Sequence, residues 1–208
     1  MKKMSTENTI AANTISSFAK AVQKAYDRKS NDYLPVLAKL RNCAGLNPSD
    51  NVEAWSIVID SISHTVNKHN NDDSDDKWHV SAPNDENGSA IMTKTERALI
   101  LAFSMYAIQY SPKNRKPHDD KTEFGVALAR YVNSNQNRAN WMDGILDSLC
   151  NAHDLDSASY YLRQIASNVN IGFNYGDFVK NLITFQYDDN RRGVLMRWIR
   201  DYHMNLKI

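Results

Sequence analysis

From Phe124 to Tyr202, apolar residues recur three and four positions apart in short runs, separated by residues able to cap helices. The runs read FGVALARY (124–131), NRANWMDGILDSL (137–149), LDSASYYLRQIASNV (155–169) and RRGVLMRWIRDYHM (191–204). Short amphipathic helices of this kind bury their apolar stripes against one another, and the polar links between them favour antiparallel neighbours in a bundle. Capping residues punctuate the series. Asp119 and Asp120 open a helix to Tyr131, and Asn135 or Asn137 opens one to about Cys150. Asp154 opens one to Val169, Asn174 with Asp177 one to Tyr187, and Asp188 or Asn190 the last.

The first half reads the same way. Ile15, Phe18, Val22 and Ala25 predict a helix over 9–29, and Asp32 opens a short one through Leu34, Leu37, Leu40 and Arg41. Ser49 or Asp50 caps a third, with Val52, Trp55, Ile59, Ile62 and Val66 on one side. Thr93 with Glu96 forms a candidate capping box ahead of ERALILAFSMYAIQY, which Ser111-Pro112 stops. Between these elements, residues 67–92 are acidic and almost free of aliphatics, predicting an exposed loop. Strong Val/Ile/Thr alternation is absent, and seven Gly and five Pro are few. The expected class is all-α: an N-terminal helical bundle over 1–112 and a C-terminal bundle over 113–208, joined by the basic connector SPKNRKPHDDK.

Charge narrows the function. A net charge of +1 argues against a histone-like, globally basic binder. Residues 1–90 hold 10 Lys/Arg against 12 Asp/Glu, and residues 91–208 hold 15 against 12, which places a polyanion site in the second half. Lys113, Arg115 and Lys116 are the densest basic cluster, and Arg130 and Arg138 bracket the turn that follows the next helix, so the five can share one surface. Arg191 and Arg192 fall in a first turn, where the helix dipole disfavours cations by about 0.3–1 kcal/mol each. A bound phosphate would gain from both side chains and from free backbone N–H groups, although Asp188 and Asp189 can pair with them instead. Arg197 and Arg200 point away from the last helix's apolar stripe as ordinary solvated side chains. Tyr131, Trp141, Tyr160 and Tyr161 are stacking candidates but fit a core better.

Catalytic readings find little support. No nucleophile elbow and no Walker or Rossmann glycine pattern occurs. His118-Asp119 resembles the central dyad of HD phosphohydrolases, but it follows Lys116-Pro117 outside a helix, where Asp119 fits an N-cap better. Cys43 and Cys150 lack metal-ligand spacing and read as buried reduced thiols. No apolar run reaches the ~20 residues of a bilayer span. The expectation is a soluble, cytoplasmic protein with no cofactor, no metal and no enzymatic activity.

The segments ERALILAF, FGVALARY, Asn137-Arg138 ahead of LDSL, LRQIASNV and the terminal Arg-Trp-Tyr helix, with LAKLRNCAG and Trp55 before them, resemble the CasB family in order and spacing. CasB proteins form the small subunit of the type I-E CRISPR surveillance complex, Cascade. The resemblance implies a non-catalytic helical subunit, present as two copies head to tail against the crRNA-carrying backbone subunits and the large subunit. It implies contact with target DNA, including the displaced strand, and R-loop stabilisation without sequence reading. Cleavage would belong to a separate helicase-nuclease. The binding role maps onto Lys113, Arg115, Lys116, Arg130, Arg138, Arg191 and Arg192; Arg41 serves there or in a structural ion pair. The alternative is a helical protein–protein adaptor whose arginines meet acidic protein surfaces.

Overall fold

The computed structural model describes residues 2–43, 46, 52–69, 92–111 and 116–207. In chain order the helices are α1 (Lys2–Asp27), α2 (Leu34–Arg41), α3 (Val52–His69), α4 (Lys94–Gln109), α5 (Phe124–Ser134), α6 (Ala139–Cys150), α7 (Leu155–Asn168), α8 (Tyr175–Phe185) and α9 (Asp188–Asn205). A 3₁₀ turn, Gln136–Arg138, links α5 to α6. Among the described residues there is no strand; His118 and Phe173 form an isolated parallel bridge. The fold is all-α, as expected.

Helix α4 lies at the centre. Every residue from Ala98 to Ala107 is buried, so this helix is covered on all sides rather than along one stripe. It packs on α1, α2, α3, α7 and α8, while α1 lies along α8 and α5 along α9. One cluster of buried side chains runs from Ile10 to Tyr202, and helices from both sides of residue 112 contribute to it. Where α5 meets α9 the backbones nearly touch: a Cβ on Gly125 would lie 2.3 Å from the Trp198 carbonyl oxygen.

The expected caps form at α4, α7 and α8. Thr93 Oγ1 accepts from the Glu96 amide (3.1 Å) and Glu96 Oε2 from the Thr93 amide (2.7 Å), closing the box that starts α4. Asp154 starts α7, with Ser157 reciprocating, and Asn174 starts α8 by accepting from the Asp177 amide. Other boundaries differ. α1 starts earlier than Thr9 and stops at Asp27, because Lys29 takes a left-handed conformation (φ 59°) that ends the helix. On α3 the buried face is Ala54, Val58, Ile62 and Val66, and Val52 is 63% exposed; the expected stripe is rotated by part of a turn. Residues 67–69, expected in the acidic loop, continue α3, while 70–91 and the candidate caps Ser49 and Asp50 lie outside the described residues. Cys43 is buried as expected, whereas Cys150, the last residue of α6, is exposed.

Two arginines clamp helix ends. Arg41, closing α2, donates through Nε to Ala107 O (2.6 Å) and through Nη2 to Tyr110 O (2.5 Å), satisfying carbonyls at the C-terminus of α4. Arg163 of α7 donates to Cys43 O, to Ser104 Oγ (2.9 Å) and to Arg41 O (3.1 Å), doing the same for α2. Its burial pulls the guanidinium pKa below the ordinary value. Hydrogen bonds from a charged donor contribute roughly 1.5–3 kcal/mol each, and the carbonyls left behind in Arg163→Met would be desolvated. That substitution should lower unfolding stability by about 3 kcal/mol in urea melts. Arg163→Lys should recover only part of the loss, since an ammonium cannot serve the three acceptors as a fork.

The end of the connector is laid against the start of α8. Phe173 N–H donates to Pro117 O (2.9 Å), Asp119 N–H to Phe173 O (3.0 Å) and Asn174 N–H to Thr122 O (2.7 Å). Gly172 makes room, since a Cβ there would stand 2.5 Å from Lys116 O. His118, 9% exposed, accepts the Tyr175 amide proton on Nδ1 (3.3 Å) and places Nε2 2.9 Å from Asp120, which also faces Lys20 of α1 (3.7 Å). Burial lowers the His118 pKa despite the raising effect of Asp120 and Asp119. Below the unfolded value of 6.5 the unfolded chain therefore takes up a proton that the folded chain refuses, so stability falls as pH drops from there to the folded pKa. Thermal unfolding should show this loss as pH falls below about 6.5, and His118→Asn should flatten it. Asp119, held below 3.8 first by the Thr122 hydroxyl, acts only in a lower window.

Candidate nucleic-acid interface

The basic connector and α5 meet through a short polar relay. Asp119 accepts from the Lys121 amide (3.0 Å) and from Thr122 Oγ1 (2.6 Å), and Thr122 Oγ1 in turn accepts from Arg130 Nη1 (2.9 Å). Asp119 thus forms a local Asx turn rather than the N-cap expected of it; α5 starts later, at Phe124, with Glu123 in the cap position. Arg130 lies in the second half of α5 but reaches back toward its N-terminus, as helical side chains do. The relay uses one of its five donors and leaves an exposed guanidinium held over the connector. Lys116 is exposed on a backbone fixed by Gly172 and Phe173. These two expected contacts are brought to one place. Lys113 and Arg115, immediately upstream, lie outside the described residues.

The remaining candidates are dispersed. Arg138 is exposed in the 3₁₀ turn beyond the far end of α5, away from the Arg130 relay. Arg191 and Arg192 do not occupy a bare first turn. Helix α9 begins at Asp188, so Asp188 and Asp189 serve the positive end of its dipole. Arg191 Nη2 pairs with Asp188 Oδ1 at 2.5 Å, and its guanidinium lies 5.5 Å from the Phe185 ring centre. The amides of Asn190 and Arg191 already donate to Tyr187 O, so the anion cradle expected there is filled from within. Arg192 is exposed and makes no hydrogen bond or ion pair among the described residues. Arg41 spends its guanidinium on α4. Helix α8, about 16 Å long at 1.5 Å per residue, separates Lys116 and Arg130 at its start from Arg191 and Arg192 at its end.

Tyr131 is buried and meets Trp141 edge-on (6.4 Å), so both belong to packing; Tyr160, 63% exposed beside Tyr161, is the one of the four open to a partner. A cleft of about 240 Å³ between α8 and α9 has Glu123, Asp177 and Asp201 on its walls. Glu123 hydrogen-bonds Asp201, and that contact, with burial, raises the Glu123 pKa. Lys180 and Arg197 line the same cleft, so its charge is mixed and it offers no uniformly basic surface to a polyanion. Among the described residues no group of three His, Cys, Asp or Glu could hold a metal, and no helix is long and apolar enough to cross a membrane. The sequence reading passed over Arg163, whose acceptors lie 59 to 122 residues away, and discounted Arg200, whose eight-residue spacing from Arg192 was the available signal.

The chain matches the family of CRISPR-associated protein Cse2 over residues 36–203. Its fold is similar to the crystal structure of CasB from Thermobifida fusca, with a TM-score of 0.66 and 19% identity over 94% of this chain and 98% of that one. No match was found among curated proteins. The crystal structure supports the shared fold, and the family match spans well over half of the sequence: the chain belongs to the Cse2 family of CRISPR-associated proteins.

Proposed function

We propose that this protein is the small, non-catalytic subunit of a type I-E CRISPR Cascade complex, holding nucleic-acid backbone without reading sequence and thereby stabilising the R-loop. Membership of the Cse2 family makes it a Cascade subunit; the binding role is our reading of the surface. The observation that carries it is the anchored connector. Lys116 and Arg130 present exposed cations on backbone that is fixed to α8 and α5, so little ordering remains when a phosphate arrives. Lys113 and Arg115 extend the same stretch in sequence, and Arg138 and Arg192 supply cations elsewhere.

The partners in this reading are the crRNA-carrying backbone subunits, the large subunit, a second copy of the chain, and target DNA with its displaced strand, all in the cytoplasm. R-loop formation is a near-balanced exchange of one duplex for another, so a few backbone contacts are enough to shift it. In the same reading the segments 1–112 and 113–208, which share one core, face different neighbours in the assembly.

Contact with about four phosphates of a single strand predicts a roughly 50-fold fall in affinity between 50 and 200 mM salt, measured by fluorescence anisotropy on a labelled oligonucleotide. Replacing Lys113, Arg115 and Lys116 with Ala should weaken R-loop stability in the assembled complex and leave assembly intact. A flat salt response, or DNA binding unchanged by the triple substitution, overturns the reading. No shift of single-stranded DNA alongside normal assembly would assign the cations to acidic protein surfaces instead.

A further inference from the structure

The outer face of α9 carries charge that no neighbour uses. At 3.6 residues per turn, Arg192, Met196, Arg200 and His203 fall within an arc of about 80°, opposite the buried Val194, Leu195, Trp198 and Tyr202. All four are exposed, Met196 by 49%, and Lys207 follows just beyond the helix end. Neither Arg192 nor Arg200 makes a hydrogen bond or ion pair among the described residues. Arg191 is tied to Asp188, and Arg197 to Asn181 at 3.3 Å. The helix thus sorts its four arginines, two bound inward and two left outward in one line. Asp189 is the one carboxylate on this line; it stands in the first turn, where it answers the helix dipole. Asp201, the next nearest on α9, faces the Glu123 cleft on the other side.

We infer that this face is a second phosphate track, separate from the connector site, on which Arg192 and Arg200 hold phosphates of one extended nucleic-acid strand. The inference rests on the nucleic-acid reading of the preceding section and deepens it. Eight residues of helix separate the two guanidinium-bearing positions by about 12 Å, far enough that each takes a different phosphate of the strand. Met196 lies between them and lets a strand pass without a carboxylate to repel it. Gly193 beside Arg192 leaves the surface open, with nothing within 4 Å of where a Cβ would be. The track carries no donor arrangement for base edges, so it reads backbone alone.

The test uses the full chain and a labelled oligo(dT) strand, with affinity followed across salt concentration. The double variant R192Q/R200Q should bind roughly 25-fold more weakly at 0.1 M salt, with a log–log salt slope flatter by about 1.4, because two single-strand phosphate contacts are lost. Neither side chain has a partner in the fold, so its thermal unfolding should match the parent. Met196→Arg adds a cation in the middle of the track; it should tighten binding about fivefold and steepen the slope by about 0.7, a gain that misfolding cannot imitate. If the parent binds and neither variant changes its affinity or slope, the track is wrong and the connector reading stands. If the parent chain binds no strand at low salt, both fall together.

Discussion

Helix α4 is buried on every side, and the rest of the fold answers that constraint. A helix enclosed in this way cannot leave its terminal amides and carbonyls to water, so both ends must be served by other parts of the chain. At the N-terminus the Thr93–Glu96 box does this locally, with Glu96 itself only 2% exposed. At the C-terminus no local group suffices, and Arg41 reaches in from α2 to Ala107 and Tyr110. Farther along, Gln109 donates to Val169 O and Ile171 O (2.8 Å each) and accepts from the Tyr175 hydroxyl (3.1 Å). Burial drives the Tyr175 pKa well up, keeping that hydroxyl a donor. Three other elements are thereby referenced to one central rod: α2 through Arg41, the 169–171 turn through Gln109, and α8 through Tyr175.

That referencing explains how a mostly surface function can have defined geometry. Tyr175 is the residue whose amide proton His118 accepts, and His118 belongs to the connector. The cations at 116 and 130 are therefore linked to α4 by an unbroken series of hydrogen bonds and packing contacts, through His118, Tyr175 and Gln109. The histidine-aspartate pair that superficially suggested metal chemistry holds the connector on the start of α8. Burial keeps His118 neutral, which preserves Nδ1 as an acceptor.

What the sequence revealed and what it concealed divide along the range of the interactions. Caps at Thr93, Asp154 and Asn174 were readable because donor and acceptor lie within three residues of each other. Helix number and order were readable because apolar periodicity is local too. Arg41 and Arg163 were not, since their acceptors lie tens of residues or more away and nothing near them signals a clamp. The face of α3 was misread for a related reason: Val52 and Val58 are equally apolar, and only the position of α1, α2 and α4 selects Val58 for burial. At Arg191 the helix start was correct to within two residues, yet a shift that small places Asp188 in the first turn and closes the anion cradle.

Arginine pairing, rather than arginine number, is what separates structural from available charge here. With a net charge of +1 the chain has no long-range field to gather a polyanion, so short-range placement decides. Arg41 and Arg163 serve helix ends, Arg97 meets Asp156, and Arg191 meets Asp188. The cations left outward are spread out: Lys116 and Arg130 near the start of α8, Arg138 beyond α5, and Arg192 and Arg200 along α9. Groups so sparse give each isolated copy only a few contacts with a strand. When a strand and the subunit are both held by the same assembly, however, each contact becomes intramolecular, and its contribution is set by effective concentration rather than by the free subunit's affinity. A nearly neutral protein with a few outward arginines suits the proposed role: a weak hold on a strand by the free chain, strengthened where an assembly presents that strand.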